Sequence, residues 1–161
     1  MALETIRFER DYAFPPAIVW DALIDADLVS GWLAEAAIEP VVGGRYDLRF
    51  THRDGRPANR GWIAVLEAHE RLRIDAADGG GLEFELHELP GGSRGTSTRL
   101  HLAVRVAIES AFAAGLRADW LTNLDQLHDL LFGHPVDWAN WGRQMHETWV
   151  QHRDEVENST A

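Results

Sequence analysis

The sequence contains no cysteine and no lysine, and all 15 of its basic residues are arginines. Without cysteine there are no disulfides, thiolate nucleophiles, iron–sulfur clusters or cysteine-based zinc sites. Without lysine there is neither Schiff-base catalysis nor the lysine of a phosphate-binding loop. Composition therefore excludes these chemistries whatever the fold.

Long apolar runs and a basic balance are also missing. No run approaches the ~20 apolar residues that a membrane helix needs, so we expect no membrane span. The net charge of −11 disfavours binding to nucleic acid, which requires a basic surface. The first residues lack the basic region and apolar stretch of a secretory signal, and we therefore expect a cytoplasmic protein.

The N-terminal part predicts a strand followed by two short helices. Ile6 and Phe8 alternate with polar neighbours, which is typical of a half-buried strand. Pro16 suits the first turn of a helix, because its missing N–H would have no partner there. Asp27 is predicted to cap a second short helix that ends near Trp32.

From Ala36 onward the apolar period becomes two. Turn-forming glycine, proline and aspartate separate the alternating segments, so short connections and an antiparallel, curved sheet with one apolar face are expected. The predicted strands are 36–41, 44–52, 59–68, 71–76, 82–89 and 96–106.

Two helices are predicted after the strands. Residues 115–132 are the one segment long enough to cover the sheet, through the stripe Leu116, Trp120, Leu124, Leu127 and Leu131. A further helix, residues 137–155, has a stripe of Trp138, Trp141, Met145 and Trp149. This second stripe is too apolar to face water. It either packs back on its own chain or pairs with a second copy, and we favour a homodimer because a two-fold contact lets one stripe cover its own copy.

The order of these elements resembles the START-like (SRPBCC) superfamily, and within it the family of the activator of heat-shock-protein-90 ATPase homologues. The resemblance covers roughly residues 4 to 132. It is carried by the segments 14–23, 30–32, 43–46, 61–63, 70–72 and 95–102, which read FPPAIVWDAL, SGW, GGRY, GWI, ERL and GTSTRLHL.

The resemblance implies an α+β helix-grip fold, in which a curved antiparallel sheet of about seven strands wraps on a long C-terminal helix. We expect this domain over residues 1–134 and a C-terminal helical extension and tail over residues 135–161. The resemblance also implies a cavity between the sheet and the long helix. Members of the superfamily use that cavity for lipids, polyketides, hormones or a client protein.

Large side chains of the strands and the long helix are the candidates for the cavity walls. The same residues are equally suited to filling a closed core, and the sequence leaves both alternatives open. The predicted ligand-binding residues are Trp32, Tyr46, Phe50, Trp62, Phe84, Leu102, Trp120, Leu124 and His128.

Catalysis and metal binding have weaker signals. Tyr46 and His128 are the polar residues that would serve acid–base chemistry, but such residues are more often structural, and we assign no catalytic residue. The histidine pairs 128/134 and 146/152 are six residues apart, which is not the spacing that places two ligands on one helix face. We expect no metal site and no cofactor.

The function predicted from these observations is binding of a small apolar or amphipathic molecule without transforming it. One alternative is a cofactor-free enzyme of the polyketide cyclase or aromatase kind. Another is a co-chaperone-like interaction domain that stimulates heat-shock protein 90. We expect a binding protein rather than an enzyme, because the sequence has no nucleophile or metal motif.

Overall fold

The computed structural model describes residues 3–50, 59–92, 94–109, 112–141 and 146–159. These residues form a mixed α+β structure with the helix-grip arrangement. Its strands are β1 (Leu3–Tyr12), β2 (Glu35–Ile38), β3 (Tyr46–Arg49), β4 (Gly61–Glu67), β5 (Arg71–Ala76), β6 (Gly81–Pro90) and β7 (Thr96–Ala107). Its helices are α1 (Pro16–Ile24), α2 (Ala26–Val29), α3 (Ala113–Leu131) and α4 (His146–Ser159), with a 3-10 turn at Trp138–Asn140.

The main sheet is antiparallel and has five strands, in the order β1-β7-β6-β5-β4. The other two strands, β2 and β3, pair with each other. Isolated bridges join Arg45 to Trp62 and Leu48 to Asn59, so β3 lies beside β4 without forming a regular ladder with it. The expected sheet of about seven strands is therefore a five-stranded sheet extended by a separate pair.

The turn from β1 into the helices follows the local sequence. Pro16 begins α1, in the first turn where its missing N–H costs nothing. The cap of α2 is Asp25 and not Asp27, because the Asp25 carboxylate accepts hydrogen bonds from the backbone N–H groups of Asp27 and Leu28. The error of two residues arose because both aspartates precede the same apolar pair.

The core lies between the concave face of the main sheet and α3. Trp120, Leu124 and Leu127 are buried there, while Leu116 and Leu131 at the ends of the stripe are partly buried against the core. The Tyr12 hydroxyl donates a hydrogen bond of 2.9 Å to the Leu124 carbonyl, which ties β1 to α3. The predicted covering stripe is therefore the one that the structure uses.

The outer face of the sheet carries cross-strand ion pairs. Arg99 contacts Asp11 at 2.9 Å on the neighbouring strand, and Arg105 contacts Asp75 at 2.8 Å across β6. Because these side chains remain partly or largely accessible to solvent, each pair contributes only about 0–1 kcal/mol. Their position shows which face of each strand is turned away from α3.

The C-terminal segment differs from the single helix predicted over residues 137–155. Trp138–Asn140 form a 3-10 turn, and a helix runs from His146 to Ser159. Met145 of the predicted stripe lies outside the described residues. The helix α4 packs along α3 of the same chain, where His152 Nε2 lies 2.6 Å from Asp125 Oδ2.

Among the described helices, none combines the length and the apolar character needed to cross a membrane.

Candidate functional site

A cavity of about 560 Å³ lies between the N-terminal half of α3 and one end of the sheet. Strands β3 to β7 and the turn after β5 contribute to its walls. The apolar part of the wall consists of Tyr46, Leu48, Phe50, Ile74, Leu82, Val104, Val106, Leu116 and Trp120. This volume is within the range of about 300–1,000 Å³ that is usual for small-molecule sites.

Polar groups enter the cavity wall from two directions. Asn59, Arg60 and Asp78 are exposed residues, and they place polar side chains where the cavity meets solvent. Asp119 and Asn123 come from α3, one helical turn apart, and so lie on one face of that helix. The cavity therefore has an apolar body with a polar rim and a polar strip along α3.

Asn123 is the most buried of these polar residues, with 7% of its surface exposed. Its Oδ1 lies 3.4 Å from Gln126 Nε2, and that nitrogen also donates to the Trp32 carbonyl at 2.7 Å. Gln126 Oε1 accepts a hydrogen bond of 2.7 Å from Trp141 Nε1. A chain of hydrogen bonds thus runs from the C-terminal segment to the cavity wall.

Asp119 is also held by the C-terminal segment. Trp149 Nε1, on α4, donates a hydrogen bond of 2.6 Å to Asp119 Oδ1. The indole N–H is a donor only, so it fixes one oxygen of the carboxylate. The C-terminal segment therefore binds Asp119 directly and is linked to Asn123 through Gln126.

Arg105 contributes to the cavity wall, but its guanidinium pairs with Asp75 on the outer face of the sheet. The hydrogen bond from Arg105, together with that from Arg73, holds the pKa of the Asp75 carboxyl below its ordinary value. The pairing stabilises the folded chain above the ordinary carboxyl pKa and is lost as the pH falls through the lowered value. Arg105 is thus committed to a structural pair.

The Tyr46 hydroxyl takes no part in the polar strip. It donates a hydrogen bond of 2.5 Å to the Leu23 carbonyl, and burial raises the pKa of this phenol. The residue contributes to the cavity wall with a hydroxyl already bound to α1. Its contribution to the site is therefore one of shape and apolar surface.

The structure brings three of the predicted cavity residues together and separates the others. Tyr46, Phe50 and Trp120 line the cavity. Trp32, Phe84, Leu102 and Leu124 are buried in the closed core, as the alternative interpretation had it. Trp62 and His128 are exposed, and neither lines the cavity.

The placement of Trp62 and His128 changes the predicted wall, because neither residue lines the cavity. Trp62 lies opposite Asp75 in the β4–β5 ladder, on the outer face with the ion pairs. His128 lies beside Asp129 and Phe132 near the end of α3. Tyr46 and His128 are therefore not combined in one site.

Asp119 and Asn123 were not among the residues predicted from the sequence to line the cavity. A signal for them exists, since Asp119 precedes Trp120 and Asn123 precedes Leu124, so both flank the buried stripe of α3. The described residues contain no cluster of three His, Asp or Glu side chains that would hold a metal ion.

Residues 13–131 match the model of the family described as Activator of Hsp90 ATPase homolog 1-like protein. The chain belongs to this family. The match ends at the last residue of α3, so Trp141, Trp149 and all of α4 lie outside the part that defines the family. No curated protein matches the chain.

Solved structures with the same fold accompany the family match. The Aha1 dimer of Colwellia psychrerythraea has a TM-score of 0.67 and 19% identity, and the alignment covers 80% of this chain and 96% of that one. CalU16 of Micromonospora echinospora has a TM-score of 0.65 and 22% identity over 94% and 84% of the two chains. A protein of Rhodobacter sphaeroides has a TM-score of 0.67 and 22% identity over 82% and 99%.

Proposed function

We propose that this member of the family binds a small apolar or amphipathic molecule in the cavity between the sheet and α3. The observation that carries the proposal is the cavity of about 560 Å³ with a mainly apolar wall and a polar strip on one side. Burial of apolar ligand surface stabilises a complex by about 25 cal/mol per Å² before the cost of association.

The side chains around the cavity support binding of a ligand without chemical transformation better than they support catalysis. The Tyr46 hydroxyl is bound to the Leu23 carbonyl and keeps its proton, because burial raises its pKa. His128 is on an exposed part of α3. The alternative enzyme of the polyketide cyclase or aromatase kind would use Tyr46 and His128 as acid–base groups, and His128 does not line the cavity.

Filling the cavity should weaken binding of prodan, a neutral naphthalene dye whose fluorescence rises in apolar surroundings. Ala76 lines the cavity, so Ala76→Phe places a ring in it. We expect the dissociation constant of prodan to rise at least about tenfold, a change of about 1.4 kcal/mol. Fluorescence titration measures it.

Ala103→Phe is the matched control, because Ala103 lies opposite Glu83 on the outer face of the sheet. This variant should bind prodan as the unchanged chain does. Equal affinities for all three proteins, or no binding by any of them, would overturn the proposed ligand site.

Stimulation of heat-shock protein 90 is a second candidate, favoured by the family description. A purified heat-shock protein 90 whose ATP hydrolysis accelerates on addition of this chain would support it. The cytoplasmic location expected from the sequence stays a prediction.

Homodimerisation is also a proposal, supported by the Aha1 dimer among the similar structures. In this chain the described tryptophans of the predicted stripe bind the same chain, since Trp138 Nε1 donates to the Ser30 carbonyl at 2.7 Å and Trp141 and Trp149 contact α3. We therefore expect a dimer to use more than this stripe.

Light scattering tests the proposed dimer. At a chain concentration of ~100 µM, about a hundredfold above a micromolar dissociation constant, it should give twice the monomer mass. A monomer mass would reject the dimer.

A further inference from the structure

We propose that the molecule bound in the cavity carries a neutral carbonyl oxygen that accepts a hydrogen bond from Asn123 Nδ2. This inference rests on the proposed ligand site and names the chemical class that the site selects. It further assigns to Gln126 and Trp141 the role of positioning the Asn123 amide.

The orientation of the Gln126 amide follows from its two fixed partners. The Trp141 indole N–H can only donate, so it must meet Gln126 Oε1. The Trp32 carbonyl can only accept, so it must meet Gln126 Nε2. The second N–H of Gln126 Nε2 then points to Asn123 Oδ1, 3.4 Å away.

This constraint leaves the Asn123 Nδ2 group for the cavity. Asn123 lines the cavity with 7% of its surface exposed, and no described residue accepts a hydrogen bond from its Nδ2. The Asn123 Nδ2 group is accessible to solvent, and a ligand that covers it without offering an acceptor leaves it buried at a cost of about 1–3 kcal/mol. A ligand with an acceptor oxygen at this position avoids that cost, whereas a purely apolar ligand does not.

The apolar wall and the neutral donor favour a neutral acceptor over an anionic one. Burying a carboxylate costs far more than burying a carbonyl unless the charge is paired, and the Asn123 amide carries no charge. A ketone, ester or amide carbonyl is satisfied by such a donor.

A pair of probes of nearly equal shape tests the assignment. Methyl naphthyl ketone offers a carbonyl, and isopropenyl naphthalene replaces its oxygen by a methylene group. The quantity measured is the ratio of the two dissociation constants, alkene over ketone, from displacement of prodan. In Asn123→Leu this ratio should fall about three- to tenfold, the affinity equivalent of one neutral hydrogen bond.

Trp141→Phe tests the positioning role. It removes the indole N–H that fixes Gln126 and should lower the alkene-to-ketone ratio of dissociation constants. The dissociation constant of the alkene itself should stay unchanged. Trp138→Phe is the matched control, because the Trp138 indole N–H donates to the Ser30 carbonyl, whereas that of Trp141 donates to Gln126. That variant should keep the ratio of the unchanged protein.

The outcomes separate this inference from the proposed function. If the probes bind but Asn123→Leu leaves the ratio within about twofold, the carbonyl assignment is overturned and the ligand site stands. If Asn123→Leu misfolds, Asn123→Asp, which keeps the volume and removes the donor, must lower the ratio instead.

A lowered ratio in Asn123→Leu with an unchanged ratio in Trp141→Phe overturns the positioning role. Tighter binding of naphthoate than of the ketone overturns the preference for a neutral group, and no binding of any probe overturns the ligand site itself.

Discussion

Replacing Trp32 with alanine should lower the free energy of unfolding by about 3–5 kcal/mol, the range found for large aromatic residues in closed cores. Trp32 is 0% exposed, and its indole N–H donates a hydrogen bond of 2.7 Å to the Ala22 carbonyl. The substitution both opens a cavity and leaves that carbonyl without its donor. Denaturant unfolding followed by circular dichroism measures the loss.

Trp62→Ala provides the matched control for the same residue type. Trp62 is 44% exposed on the outer face of the sheet, and its removal should cost no more than about 1 kcal/mol. Similar losses for the two variants would contradict the placement of Trp32 in the core and Trp62 on the surface.

Leu124→Ala should lower the free energy of unfolding by about 2–5 kcal/mol, because a buried leucine on α3 leaves a void that the rigid sheet fills only in part. Leu124 is 1% exposed and lies at the centre of the stripe that covers the sheet. The measurement is again a denaturant melt, with the slope of the transition checked for a two-state change.

Leu3→Ala is the comparison for this second substitution, since Leu3 is 50% exposed at the start of β1. We expect it to change stability by about 0.5 kcal/mol or less. A loss below about 1 kcal/mol for Leu124→Ala would mean that this face of α3 does not pack on the sheet.

The main elements of the fold were predictable because each depends on short-range patterns. Alternation locates β5, β6 and β7 to within one residue at each end, and the apolar stripe locates α3 within two. The separation of β2 and β3 from the main sheet was not predictable. It depends on how β3 approaches β4 through isolated bridges, which is a tertiary property that the alternation of β3 does not contain.

The misplaced Trp62 has a physical reason in β4. Both alternating sets of this strand are apolar, with Trp62 and Leu66 in one set and Ile63 and Val65 in the other. The ladder with β5 also shifts register between Ile63 and Val65, so the alternation changes face within the strand. Trp62 was predicted to line the cavity because of its size. Its position is set by the face of β4 on which it lies, and that face is the outer one.

The polar strip of the cavity could not be predicted from the sequence, for a different reason. A lone asparagine near a buried stripe is usually satisfied within its own helix. The orientation of Asn123 depends on Trp32 and Trp141 through Gln126. Trp32 lies about ninety residues before Asn123 and Trp141 about eighteen after it, so both contacts are long-range in sequence. Only the assembled fold brings these three side chains into one hydrogen-bonded chain.

The two tyrosines give this protein an optical property that needs no added label. Tyr12 and Tyr46 are the only tyrosines, and each hydroxyl is buried and bound to a backbone carbonyl. Burial raises both pKa values above the ordinary value of about 10, so the unfolded chain loses these protons at a lower pH than the folded chain does. Stability therefore falls as the pH rises above about 10. At a pH between the unfolded and the folded pKa values tyrosinate forms mainly in unfolded molecules, so its ultraviolet absorbance after a jump to alkaline pH follows unfolding around Tyr12 and Tyr46.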